Sequence, residues 1–130
     1  MTTNPDLFGL MNRVTDELRR KGSVTLEELT LLAREEHRER LLNQALRFLA
    51  ERDEILLDVE LQAIHWRRRV TRHIAEVLDS SHPLSIQEIA DRTPYGFATC
   101  SDALGWMERE GRVRLLPDDR FEASPYRSPR

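Results

Sequence analysis

At 130 residues, with 39% hydrophobic and 33% charged side chains, the chain has the size and composition of a small globular domain. It shows no apolar run of membrane-spanning length and no signal-peptide pattern at its start, so a soluble, cytoplasmic protein that does not enter membranes is expected. A formal charge of −3 and an isoelectric point near 5.8 count against indiscriminate polyanion binding, because attraction to phosphates scales with the cations set along them, although local clusters can override that average.

In chain order, a loose start leads at about Asp6 into a helix whose Leu7, Leu10, Met11, Val14 and Leu18 recur at helical spacing. Lys21-Gly22 ends it, with a cation beside exposed carbonyls and a residue free to turn left-handed. Ser23-Val24 is extended, and Thr25 caps a second helix buried through Leu26, Leu29, Leu32 and Ala33. After a turn near Glu35 to His37, a third helix buries Leu41, Leu42, Ala45, Phe48 and Leu49. Ile55 to Leu57 and Val59 to Leu61, around Asp58, form a short hairpin or a ragged strand.

The next helix starts at Trp66, buries Val70, Ile74, Val77 and Leu78, and breaks at Ser80-Ser81-His82-Pro83. Ser85 opens another that runs through Ala90. Thr93-Pro94-Tyr95-Gly96 turns the chain into a last helix from Phe97 to Glu110, stopped by Gly111. Arg112 to Leu115, Pro117-Asp118-Asp119 and Arg120 to Glu122 are strand, tight turn and strand, and 124–130 is a flexible tail. The lone Cys100, between Phe97 and Leu104, excludes an internal disulfide and is expected to be a buried side chain without reactivity.

The chain repeats itself. Val24-Thr25-Leu26-Glu27-Glu28-Leu29 returns sixty positions later as Leu84-Ser85-Ile86-Gln87-Glu88-Ile89, each copy with a helix-start box, Thr25 with Glu28 and Ser85 with Glu88. Ala45-Leu46, Phe48-Leu49 and Ile55 return at an offset of fifty-eight as Ala103-Leu104, Trp106-Met107 and Val113. Helix, short strand, helix, turn, helix and hairpin is the order of the winged-helix family, which the second copy resembles. Leu84 to Ala90 is similar to the start of its helix-turn-helix, and Leu104 to Val113 to the recognition helix running into the wing. The first copy departs from it, with Asp53-Glu54 where the stop glycine belongs. The expected fold is mainly α with small β-hairpins, as two tandem winged-helix modules, 6–64 and 66–123, packed as one compact body.

The resemblance implies that the third helix of a module enters a groove of DNA. On the first copy Arg40, Asn43, Gln44 and Arg47 recur at i, i+3, i+4 and i+7, the side-chain types that pair with guanine and adenine edges. The alternative is a solvated face with Glu36–Arg40 and Arg47–Glu51 ion pairs. Arg67, Arg68, Arg69 and Arg72 form the strongest basic cluster, read either as phosphate contacts or as neutralisation of the acidic first half. Arg112, Arg114 and Arg120 on the second wing could follow a backbone. The second copy's third helix exposes Ala98, Ser101, Asp102, Gly105 and Arg109, a small face suited to protein contact beside an exposed Tyr95.

The four histidines are scattered, without metal-ligand spacing, and are expected at the surface or its boundary. No nucleophile motif or phosphate loop is present. The expected protein is therefore a non-enzyme without cofactor or metal, a transcription regulator or nucleoid-associated factor whose partner is double-stranded DNA. The alternative is an interaction module that docks on a protein partner, and a homodimer through the first helices is a further arrangement.

Overall fold

A computed structural model of the chain describes residues 5–80 and 82–124. The expected tail at 124–130 lies outside the described residues apart from Ser124. The chain divides into two units. One comprises the residues up to Leu57 with Leu61–Arg67, the other Asp58–Glu60 with Arg68 onward. The secondary structure is mainly α, with small β-hairpins.

The first unit begins with α1 (Pro5–Lys21), β1 (Ser23–Thr25) and α2 (Leu26–Glu35). Gly22 takes φ +82, and its N–H donates to the Leu18 carbonyl. The expected box at α2 is formed: Thr25 Oγ1 accepts from the Glu28 N–H at 3.0 Å, and Glu28 Oε1 from the Thr25 N–H at 3.1 Å. A short 3-10 turn (Glu39–Leu41) leads into α3 (Leu42–Glu51). Because α3 starts at Leu42, its inward stripe is Leu42, Ala45, Leu46 and Leu49, while Phe48, expected inside, is 38% exposed. Leu26, also expected inside, is exposed at the first residue of α2.

The first hairpin forms without a stop glycine. Asp53 itself adopts φ +59. Its N–H donates to the Ala50 carbonyl at 3.0 Å and the Glu54 N–H to the Leu49 carbonyl at 3.1 Å, the paired bonds that close a helix end. The strands are β2 (Ile55–Asp58) and β3 (Ala63–Trp66), so residues 59–62 are turn rather than the second strand. The sheet order is β1-β3-β2, with β1 antiparallel to β3 and Val24 opposite Ile64. Trp66 therefore ends a strand instead of starting a helix. Its N–H donates to the Gly22 carbonyl, and Arg19 lies over its ring at 5.5 Å. His65, expected at the surface, is 2% exposed and hydrogen-bonded to Ser23 Oγ at 2.7 Å, its register partner on β1.

The second unit holds α4 (Arg67–Asp79, Arg67 itself counting with the first), α5 (Ile86–Asp91), α6 (Phe97–Arg109) and the hairpin β4 (Val113–Leu115) and β5 (Phe121–Ala123). Ser85 and Glu88 close the second box. Gly111, at φ +75, ends α6 by the same pair of bonds that closes α3, its N–H donating to the Glu108 carbonyl and the Arg112 N–H to the Met107 carbonyl. Val70, Ile74, Ile89, Leu104 and Met107 are fully buried, as is Cys100, whose thiol is pushed up by that burial. Burying each such aliphatic side chain stabilises the fold by ~1.5–3 kcal/mol.

Candidate nucleic-acid interface

On the first unit, Asn43, Gln44 and Arg47 project from α3 on the side away from its leucines, and all three are exposed. Arg40 is exposed too, but it lies on the 3-10 turn one residue before Leu41, so the four residues do not share a single α-helical face. The ion pairs of the alternative reading do not form among the described residues. Glu36 approaches Arg38 at 3.7 Å instead, and Glu39 binds Arg34 at 3.0 Å. The Arg34 guanidinium holds the Glu39 carboxyl below its ordinary range. Arg40 and Arg47 are therefore left without an acidic partner among the described residues, and the acid next to Arg40 in sequence, Glu39, is engaged elsewhere.

The arginines that start α4 differ among themselves. Arg67 is half-buried, its Nε donating to the Asp53 carbonyl and its N–H to the Glu54 carbonyl at 3.0 Å, so it ties down the turn between α3 and β2. Arg68 and Arg72 are exposed and Arg69 is half-buried, and none of the three has an ion pair among the described residues. Their charge is available to an anion.

Tyr95 is not an exposed aromatic. It is 4% exposed, its ring stacks on His73 at 5.6 Å and its hydroxyl meets His73 Nδ1 at 2.5 Å. Burial pushes its hydroxyl up to about 12, against the opposing pull of Arg69 and Arg72. The turn that carries it faces inward onto α4, which its polar neighbours in sequence do not reveal.

The second hairpin neutralises itself. Arg114 is paired with Glu122, its register partner across β4 and β5, while Arg112 lies 3.5 Å from Glu110 and Arg120 lies 3.5 Å from Asp118. Asp119 turns the hairpin at φ +65. Ala98, Ser101, Asp102, Gly105 and Arg109 lie on α6 as expected, exposed or half-exposed. A Cβ built at Gly105 would meet nothing nearer than Arg109 Nη1 at 3.8 Å among the described residues.

The start of α6 holds an arrangement that the sequence does not announce. Asp58 Oδ2 accepts from the Gly96 N–H at 2.9 Å, and Glu60 Oε1 accepts from the Ala98 N–H at 3.0 Å. Both acids come from the three-residue segment that belongs with the second unit. Asp58 is 2% exposed at the end of β2, and no local pattern in the sequence marks it. Among the described residues no three His, Cys, Asp or Glu side chains group as metal ligands, and no helix is long and apolar enough to cross a membrane.

No protein-family model matches the chain, and no curated protein matches it. Among solved structures it is similar to the mRNA-binding domain of elongation factor SelB from E. coli, determined in complex with SECIS RNA, with a TM-score of 0.56 and 15% identity over 94% of this chain and 99% of that one. At that identity the likeness concerns the fold, and the fold is a winged helix.

Proposed function

We propose that this chain is a non-enzymatic, nucleic-acid-binding protein of tandem winged helices, in which α3 and the turn before it enter the major groove of duplex DNA. The observation that carries the reading is the state of the exposed surface around α3. Arg40 and Arg47 stand there without acidic partners among the described residues, with Asn43 and Gln44 between them, while Glu36 and Glu39 on the approach to α3 are engaged with Arg38 and Arg34 and Glu51 stands at the far end of the helix. An Arg, Asn or Gln on such a surface can make paired hydrogen bonds to a base edge. Arg68, Arg69 and Arg72 of α4 would hold phosphates, which position a protein without reading sequence. A role in transcription regulation or nucleoid organisation is the cellular context we assign to this activity.

A second reading, RNA as the ligand, is supported by the likeness to a domain whose solved structure contains RNA. The two differ physically, since an α-helix fits the major groove of B-form DNA, whereas A-form RNA presents a major groove too deep and narrow for side chains to read. Fluorescence anisotropy across a salt series, with random duplex DNA and an RNA stem-loop in parallel, separates them. The expected result is binding to duplex DNA that weakens steeply with salt. Preference for the stem-loop selects RNA. Failure to bind either ligand at low salt refutes nucleic-acid binding, and capture of a protein partner becomes the next experiment.

A further inference from the structure

We infer that the α3 surface of the first unit is the sole reading head of this protein, and that α6 and its hairpin are withheld from the nucleic acid. The inference rests on the nucleic-acid reading above and adds to it which helix reads. A protein built this way engages one groove segment, whereas two equivalent reading helices would engage two.

Three features of α6 lead to this. A helix start is ordinarily hospitable to a phosphate, because its first N–H groups lack partners and the helix dipole favours negative charge there. At α6 two of those groups, on Gly96 and Ala98, already donate to the carboxylates of Asp58 and Glu60. The absence of a side chain at position 96 is what admits them, since a Cβ would sit 2.7 Å from Glu60 Oε1 and 2.8 Å from Asp58 Oδ1. A phosphate approaching this end meets two negative charges. Next, the hairpin after α6 has each of Arg112, Arg114 and Arg120 beside an acid of the same hairpin or its approach, so a backbone contact would first have to break an ion pair. Finally, the outward face of α6 offers Ala98, Ser101, Asp102 and Gly105, which supply no paired donors to a base, and its one arginine, Arg109, stands alone in the last turn of the helix.

The α3 side is the converse at its helix start and on its outward face. No acid stands in the first turn of α3, no side chain caps it, and Arg40 and Arg47 are unpaired among the described residues. The repeat has therefore kept one backbone plan in two copies while the side chains have made the recognition helices unequal.

The experiment compares R47A with R114A in the full chain, using anisotropy on the duplex that the wild type binds, across a salt series. For R47A the expected loss is about 5- to 150-fold on a preferred sequence, with the slope of log K against log salt reduced by about one. R114A should stay within about twofold of wild type with an unchanged slope, because the arginine removed is already neutralised by Glu122. Both side chains are exposed, and circular dichroism verifies the fold of each variant. Equal losses in the two variants, or a larger loss in R114A, overturn the inference while leaving nucleic-acid binding intact. Wild-type binding that neither variant changes also overturns it, since α3 then does not read. Absence of wild-type binding refutes the underlying function, a result distinguishable from all of these.

Discussion

Replacing Gly96 with alanine should destabilise the second unit by about 2–3 kcal/mol, and the reason lies in space and charge rather than in backbone conformation. Gly96 sits at φ −71 and ψ 164, where alanine is comfortable. The new methyl would stand 2.7 Å from Glu60 Oε1 and 2.8 Å from Asp58 Oδ1, distances that real Cβ atoms do not tolerate. Glu60 is exposed and can swing into water at little cost, so its bond to the Ala98 N–H contributes least. Asp58 has 2% exposure and cannot retreat without leaving a buried carboxylate poorly satisfied. A hydrogen bond to a charged group contributes ~1.5–3 kcal/mol, and most of the expected loss is that of Asp58. The assay is urea denaturation, read as a lower midpoint at unchanged slope. Gly105→Ala in the same helix is the internal control. Its methyl meets only Arg109 Nη1 at 3.8 Å, so the variant should gain up to ~1 kcal/mol from helix propensity alone. A cost below about 0.5 kcal/mol for Gly96→Ala would refute the argument, since the methyl would then have displaced nothing of value.

Asp53→Gly should stabilise the first unit by about 0.5–1 kcal/mol, because the φ of +59 is strained for aspartate and free for glycine, less the extra entropy glycine brings to the unfolded chain. A thermal melt that moves down instead would show that the Asp53 side chain contributes a contact of its own. The two capping acids set a pH dependence: Glu28 and Glu88 are held below their usual 4.5, chiefly by the N–H groups of Thr25 and Ser85. Depressed values mean that their contribution is complete above pH 4.5 and is lost as the pH falls through the folded values. The advantage of wild type over the E28Q/E88Q double variant at neutral pH should therefore shrink as the pH falls below 4.5, and an advantage that stays constant through acid would contradict the assignment. Tyr95 shows the opposite limb, since its value is raised from 10.0 to about 12. The unfolded chain ionises first, so this contribution is full below pH 10 and is lost as the pH rises towards 12. A tyrosinate absorbance titration should show one late step, absent in Tyr95→Phe; a single step near pH 10 for both tyrosines would rule out the buried setting.

The sequence by itself determined what depends on neighbours a few residues apart. Helical spacing of leucines, the two hydroxyl-and-acid boxes, Gly22 and Gly111 as helix stops, and the turn at Pro117 to Asp119 all act within a turn or two of chain, and each is found where its residues stand. The repeat aligned Asp53 with Gly111 and marked the first copy as departing from the pattern there, whereas in the fold Asp53 itself takes the left-handed conformation that Gly111 takes in the second. Errors arose where the register rested on one or two residues. The 3-10 turn ahead of α3 put Leu46 inside and Phe48 outside, and the longer turn at 59–62 moved Trp66 from helix to strand.

Tertiary structure alone decided which charges are free. Asp58 and Glu60 reach Gly96 and Ala98 across thirty-eight positions of sequence, and no local pattern encodes such a contact. Tyr95 was polar punctuation in a turn until His73, twenty-two positions earlier, gave its hydroxyl a partner. Arg114 and Arg47 are alike as letters, yet strand register places Glu122 beside the first, while Arg34 draws Glu39 away from the approach to α3. An electrostatic site is a sum over distances in space, and the fold determines those distances.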